Sequence, residues 1–296
     1  MSETVYTGYT GRFAPSPTGP LHFGSLLAAV ASFLDARANQ GRWLLRMEDL
    51  DPAREPVGAA ETILNQLQEF GLHWDGDVLF QSSRTHAYRT ALATLTSHRL
   101  CFPCDCSRKQ VRDMGGIYDG RCRQRALPPS GDYAIRLRAG ETLIELEDLI
   151  QGPVRHKLAE ETGDFVIRRR DGQFAYQLAV VVDDRFQHIS HVIRGQDLLE
   201  STPRQIYLQR LLGYPTPCYG HIPIIVDASG DKLSKQRFAD PIDVSARQEL
   251  IHRALVCLGQ PVPAAYRALP VSRQLEWAIA HWDIQAVPKL ATMPLI

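Results

Sequence analysis

The stretch Gly11-Arg12-Phe13-Ala14-Pro15-Ser16-Pro17-Thr18-Gly19-Pro20-Leu21-His22-Phe23-Gly24-Ser25 limits what this chain can fold into more than any other. A short strand-like run ends in a Pro/Gly/Ser loop, and the loop opens an apolar helix. The start of such a helix presents unpaired N–H groups and the positive end of its dipole, which together attract anions. His22 and Ser25 add donors beside them. A second stretch, Lys232-Leu233-Ser234-Lys235-Gln236, lies between the turn residues Ala228–Asp231 and the loop after Arg237. A loop carrying two lysines at this spacing can close over a triphosphate as charge builds up on it. Either stretch alone is common by chance. In this order they read as two sides of an ATP-phosphate pocket, with His22, Gly24, Ser25 and Lys235 as ATP contacts and His22, Lys232 and Lys235 as the catalytic groups.

Hydrophobic periodicity fills in the fold. Tyr9–Ala14 reads as a strand, and Ser25–Asn39 as a helix with Leu26, Leu27, Val30, Phe33 and Leu34 on one face. Trp43–Met47 reads as a strand that ends in Glu48, Val57–Phe70 as a helix stopped by Gly71, and Thr85–His98 as a further helix. Residues 101–163 are Cys-, Gly- and Pro-rich with short strands, as in an insertion. Strand character returns at Phe165–Arg169 and Ala175–Val182. A helix near Pro203–Leu212 and a strand-like His221–Val226 follow, and helices at about Val244–Leu258 and Ser272–His281 close the chain. The alternation predicts an α/β fold with a Rossmann-like, doubly wound parallel sheet. Its ligand crevice is expected at the carboxyl ends of the strands, where Arg12, Ser16, His22 and Glu48 fall. The expected organisation is a nucleotide-binding first half (1–100), an insertion (101–163), the second half of the catalytic domain with the lysine loop (164–240) and a short helical C-terminal region (241–296).

The two stretches, HFGS within its long context and KLSKQ, resemble the signatures of the class I aminoacyl-tRNA synthetases, specifically the glutamyl branch. A serine stands for the second histidine of the first signature, and Gln236 follows the second lysine where serine or arginine is usual. His22 and Lys235 are both present. An amino acid with a side-chain carboxylate needs an acidic group for its ammonium and an arginine for its far end, because guanidinium matches carboxylate in a two-pronged geometry. Arg12 and Glu48 can face one crevice. The segments Phe174–Asp184 and Val192–Asp197 are similar to the glutamyl enzymes' binding segments. The resemblance implies that Arg12, Phe13, Ala14, Pro15, Ser16, Glu48, Tyr176 and Arg194 hold glutamate. Asp183-Asp184 reads as a hydrogen-bonded loop pair, with Mg2+ arriving on ATP rather than in a protein cage.

Six cysteines raise a metal question. Cys101, Cys104, Cys106 and Cys122 cluster within the insertion, whereas Cys218 and Cys257 stand alone and read as buried small hydrophobes. Clustered thiols in a chain without secretory features suggest one structural Zn2+ site more than disulfides. Composition favours an all-cysteine set. The resemblance to the branch's Cys-x-Cys and Gly-Gly-Ile-Tyr-Asp-Gly-x-Cys pattern implies Cys104, Cys106, Tyr118 and Cys122 instead, with Cys101 as the alternative to Tyr118.

With 33 basic and 33 acidic residues the chain has no bulk charge for nucleic acid, so an RNA surface must be local. Arg168-Arg169-Arg170 is the one tight basic cluster; it reads either as phosphate contacts or as alternating solvent-facing strand residues. Neither a signal peptide nor a membrane-length apolar run is evident, so a cytoplasmic monomer without membrane contact is expected. Only about sixty residues follow KLSKQ, fewer than a helical anticodon-binding region requires. That architecture and the cysteine insertion resemble the bacterial glutamyl-Q tRNA(Asp) synthetase branch. The implied reaction is tRNA-independent activation of glutamate by ATP, followed by transfer to the queuosine base of tRNA(Asp). A short glutamyl-tRNA synthetase acting on the 3′ end of tRNA(Glu), a non-catalytic tRNA- or adenylate-binding paralogue and a non-tRNA nucleotidyltransferase are the alternatives.

Overall fold

The computed structural model describes residues 8–125, 127, 132–227 and 240–294. Lys232 and Lys235 lie outside the described residues. Strand β1 (Thr10–Phe13) leads through the Pro/Gly loop to helix α1 (Phe23–Ala38), then to β2 (Arg42–Met47), α2 (Ala59–Glu69), β3 (Leu79–Phe80) and α3 (Thr85–Ser97). The insertion contributes β4 (Cys101–Cys104), α4 (Arg108–Asp113), β5 (Ala134–Leu137), β6 (Leu143–Asp148), β7 (Gly152–Lys157), α5 (Leu158–Glu161) and β8 (Phe165–Arg168). The chain continues through α6 (Tyr176–Phe186), β9 (His191–Gly195), α7 (Thr202–Leu212), β10 (Cys218–Ile222) and β11 (Ile224–Val226). It closes with α8 (Arg247–Cys257), α9 (Val271–His281) and β12 (Thr292–Pro294).

β1, β2 and β3 pair in parallel in that order, and β9 pairs in parallel with β10. The two groups meet at β1 and β9, where the Ser190 N–H donates to the Thr10 carbonyl at 2.9 Å. Across the molecule the strands therefore run β3, β2, β1, β9, β10, and the order reverses between β1 and β9. An open parallel sheet leaves its ligand crevice at such a reversal, outside the carboxyl ends of the strands. One core joins α1, α2, α8 and α9 to one face of this sheet, and a second joins α3, α6 and α7 to the other. The fold is thus α/β and doubly wound.

α1 begins cleanly because His22 and Ser25 form a reciprocal cap, each side chain accepting from the other's backbone N–H. Its inner face is secured by Trp43 of β2, which meets Phe33 edge-on at 5.2 Å and donates its indole N–H to Ser32 Oγ at 3.0 Å.

Four local expectations need correction. Ala175–Val182 is not a strand, because Tyr176–Phe186 is helical and buried continuously from Leu178 to Asp184. With no solvent face, the segment shows no helical alternation of polar and apolar residues. Asp183 and Asp184 consequently sit in that helix rather than in a loop, although both are hydrogen-bonded. His221–Val226 is two strands split at Pro223, and the second pairs with β12 near the C-terminus. Cys218, at the start of β10, is exposed rather than buried, whereas Cys257 is buried.

The insertion builds a β4-β5-β8 antiparallel sheet and a β6-β7 hairpin. Pairing of β8 with β5 carries this sheet past the expected boundary at residue 163 to Arg168. The hairpin is anchored on β10 through Leu149 N–H to Tyr219 O at 2.8 Å and His221 N–H to Asp148 Oδ1 at 3.1 Å. Among the described residues, no helix is long and apolar enough to cross a membrane.

Candidate active site and metal centre

A cavity of about 650 Å³ opens at the carboxyl ends of β1, β2 and β9. Arg12, Phe13, Ala14, Pro15 and Ser16 line it from β1 and the loop that follows, and Glu48 from the end of β2. His22, Gly24 and Ser25 line it from the start of α1, Tyr176 from the start of α6, and Arg194 from β9. Every proposed glutamate and ATP residue among the described ones therefore faces one space. The loop after β1 is tied to the end of β2 by the Glu48 N–H, which donates to Pro15 O at 3.0 Å.

Charge in this space is concentrated and buried. Arg46, wholly buried, donates to Asp184 Oδ1 at 2.8 Å and to Gln187 at 2.7 Å, and lies 3.5 Å from Glu48 Oε1. Arg12 uses Nε for Asp184 at 3.4 Å, its only hydrogen bond to protein among the described residues, so its two terminal nitrogens remain for a ligand. Burial raises the Asp184 carboxyl, but Arg46 and then Arg12 pull harder and hold it below the usual range. Glu48 goes the other way: burial raises it, and Arg46 and Arg12 only partly offset that. Its Oε1 has no hydrogen-bond partner. A buried carboxylate left this way is a ready receptor for an ammonium group. Asp183 is engaged elsewhere, accepting from Gln81 at 3.0 Å, Arg84 at 3.1 Å and Tyr88 at 2.5 Å. It is a structural hub rather than a cation ligand.

His22 is fixed by its cap. Nδ1 accepts from the Ser25 N–H at 3.3 Å, so in the neutral ring the proton sits on Nε2, the nitrogen that can donate to a phosphate. Arg194 is held on three sides: Nε donates to His221 at 3.1 Å, Nη2 to Thr202 at 2.8 Å and to Leu198 O at 3.4 Å, and Nη1 to Tyr176 at 3.3 Å. Of five N–H groups, one on Nη1 is left over for a ligand, next to the Tyr176 hydroxyl.

Sequence reasoning missed Arg54, Asp197, Leu198 and the β10–β11 junction, which also line the cavity. Gly195 gives the signal for Asp197: a Cβ there would meet Asp197 Oδ1 at 2.6 Å, so only glycine lets that carboxylate approach the strand end.

The thiols of Cys104, Cys106 and Cys122 lie within 4.8 Å of one another. The Tyr118 hydroxyl is 3.5 Å from Cys104 Sγ and 3.8 Å from Cys106 Sγ, and it accepts the Cys122 N–H at 3.0 Å. Cys101 points elsewhere, with its sulfur 3.2 Å from Thr96 Oγ1. Three soft thiols and a phenol form a closed four-donor set that could hold a metal ion. The site's shape depends on Gly163, at φ +65° and so close to Tyr118 that a Cβ would sit 2.8 Å from its carbonyl oxygen. Arg136 backs the cluster, donating to Cys104 Sγ at 3.2 Å with its guanidinium 4.0 Å from the Tyr118 ring centre. Burial opposes ionisation of Cys104, yet hydrogen bonds from Tyr118 and Arg136 hold the thiol below its ordinary value.

The basic triplet is less uniform than its sequence. Arg168 ends β8, Arg169 is paired with Asp51 and Asp171, and the exposed Arg170 donates to Asp105 O.

A model of the catalytic domain of class I tRNA synthetases (E and Q) matches residues 9–250. A "Glutamyl-Q tRNA(Asp) synthetase" of Thiobacillus denitrificans is 53% identical over 284 residues, covering 94% of each chain. One of Escherichia coli O6:H1 is 50% identical over 291 residues, 98% of this chain and 94% of the relative. Among solved structures, a glutamate tRNA ligase from Elizabethkingia meningosepticum in complex with its amino acid superposes with a TM-score of 0.80 at 24% identity. That match covers 98% of this chain and 67% of the other, and shows likeness of fold.

Proposed function

Since this chain belongs to the class I tRNA synthetases of the glutamate and glutamine type, and is a ligase, we propose that it activates L-glutamate with ATP in the absence of RNA. The glutamyl group then passes to the queuosine base at the anticodon wobble position of tRNA(Asp). The acceptor follows the names of relatives about half identical over nearly the whole chain. The chemistry follows from one observation in the site: a buried carboxylate whose Oε1 accepts no hydrogen bond, Glu48, shares a cavity with Arg12, Arg194 and the capped start of α1.

In this reading Glu48 takes the glutamate ammonium, while Arg12, Arg194 and the Tyr176 hydroxyl take its side-chain carboxylate. The backbone of Phe13–Ser16 frames the substrate. The α-carboxylate oxygen attacks the α-phosphorus of Mg2+-ATP; a P–O bond forms, the bond to the leaving pyrophosphate breaks, and glutamyl-adenylate results. No protein nucleophile is needed, because positioning and charge stabilisation carry the step. His22 Nε2–H and the N–H of Gly24 meet the phosphates, with the Ser25 N–H holding the His22 ring in place. Lys232 and Lys235 supply charge from the second signature. A queuosine hydroxyl then attacks the acyl carbon and AMP leaves. Cys104, Cys106, Tyr118 and Cys122 would hold one zinc, which supplies structural cross-linking and no reaction chemistry. Arg168, Arg169 and Arg170 contribute RNA phosphate contacts, and the enzyme works in the cytoplasm.

ATP–pyrophosphate exchange tests the first step. Exchange should need glutamate and no tRNA, and Lys235→Ala should slow it by roughly a hundred- to thousandfold. An absolute requirement for tRNA would contradict this reading and favour a short glutamyl-tRNA synthetase.

A further inference from the structure

Arg194 is steered by a buried chain of groups that starts in the insertion. Asp148, the last residue of β6, and His221 of β10 are both shielded from solvent, and His221 Nδ1 lies 2.5 Å from Asp148 Oδ2. The other ring nitrogen, Nε2, receives the Arg194 Nε–H at 3.1 Å. Thr202 Oγ1, also 3.1 Å from that nitrogen, accepts from Arg194 Nη2. Asp148 divides its work, because Oδ1 accepts the backbone N–H groups of Ile150, Gln151 and His221 and leaves Oδ2 to the imidazole. None of these contacts involves the phosphate side of the cavity.

Guanidinium can only donate, so His221 Nε2 must be an acceptor, and the ring must be neutral with its proton on Nδ1. A carboxylate facing Nδ1 enforces that tautomer. Burial first, and the Arg194 charge as well, keep the ring neutral by pushing its pKa down to about 4, although Asp148 pulls the other way.

We propose that Asp148 and His221 are positioning residues for substrate recognition: Asp148 holds His221 in the tautomer that accepts from Arg194 Nε, and that bond aims Arg194 at the substrate's side-chain carboxylate. This rests on the reading that Arg194 binds that carboxylate. In Asp148→Asn, the amide oxygen still serves the three backbone N–H groups, but the amide N–H₂ faces His221 Nδ1. The ring proton moves to Nε2, where it confronts the Arg194 Nε–H, donor against donor, and the guanidinium shifts. The same logic makes the charge of Asp148 dispensable when residue 221 has no tautomer to set. Glutamine at 221 can offer its amide oxygen near the position of Nε2.

The test is steady-state ATP–pyrophosphate exchange on the full chain. Asp148→Asn should raise KM for glutamate by about ten- to a hundredfold, with kcat and KM for ATP within about twofold of the parent. His221→Gln should stay near the parent KM, His221→Leu should lose affinity, and Asp148→Asn should add nothing in the His221→Gln background. Nitrogen-15 shifts of the His221 ring should report the move from Nδ1–H to Nε2–H. A folded Asp148→Asn enzyme with the parent KM, or a penalty of equal size in the His221→Gln background, overturns the proposal. If Asp148→Asn does not fold, equal KM values for His221→Gln and His221→Leu overturn it. An Arg194→Ala enzyme with unchanged KM for glutamate would instead overturn the reading of Arg194 itself.

Discussion

Replacing Glu48 with glutamine separates what this carboxylate does for the substrate from what it costs the fold. The side chain is 10% exposed, its Oε1 lacks a hydrogen bond, and Arg46 stands 3.5 Å away. An ammonium at a similar distance, in a medium of effective dielectric constant about 20, interacts with a carboxylate by about 5 kcal/mol. Desolvation of the ammonium removes part of that, and hydrogen bonds to charged groups retain about 1.5–3 kcal/mol net. At 1.36 kcal/mol per factor of ten, KM for glutamate should rise by roughly ten- to a hundredfold in Glu48→Gln. The empty protein should respond in the opposite direction. Burial raises the Glu48 carboxyl above its ordinary value of 4.5, so the folded state favours the neutral form. The stability this contributes is present below 4.5 and is lost as the pH rises through the raised folded-state value. Ionising the side chain is therefore a burden on the empty cavity, which a neutral isostere relieves. Exchange kinetics and thermal unfolding with and without glutamate measure both halves. Glu48→Gln should unfold no lower than the parent when empty and lose most of the upward shift that glutamate produces. A variant with near-parent KM for glutamate would refute the assignment of Glu48 to the ammonium.

Two further outcomes follow from the metal cluster and from the buried histidine. Elemental analysis should find one zinc per chain; Cys122→Ala should lower that content and loosen the insertion, whereas Cys101→Ala and Cys218→Ala should not, and full retention after loss of both Cys104 and Cys106 would refute the site. His221 titrates at about 4 in the fold against 6.5 when exposed, so the unfolded chain takes up its proton first and stability should fall as the pH drops from about 6.5 towards 4. His221→Gln should flatten that slope by up to one proton, about 1.4 kcal/mol per pH unit, and an unchanged slope would show that the ring is not held neutral.

The crevice was legible because its residues sit at strand ends and a helix start, positions that short sequence patterns mark directly. Arg12 falls within the first strand segment, Glu48 follows the second, and His22 caps the helix; each can be placed without knowing the rest of the fold. Elements buried on all sides were harder to read. Tyr176–Phe186 carries three consecutive valines after Leu178 and Ala179 and has no polar stripe there, so its run of apolar residues looks the same as a central strand. The Asp148–His221–Arg194 chain joins residues from three strands with no local pattern, and only the docking of the hairpin on β10 brings them together. The different surroundings of Cys101 and Cys104 follow from the direction of a strand's side chains. Within β4, Cys101 and Cys104 fall on opposite faces, one towards Thr96 and the other towards the thiol cluster.

The acceptor can be identified by label transfer from radioactive glutamate to purified tRNA(Asp). The RNA should come in two forms, one from cells that make queuosine and one from a strain that cannot. Stable label should appear only on the queuosine-containing tRNA(Asp), located in the anticodon loop rather than on the terminal adenosine. Equal labelling of both forms would contradict queuosine as the acceptor.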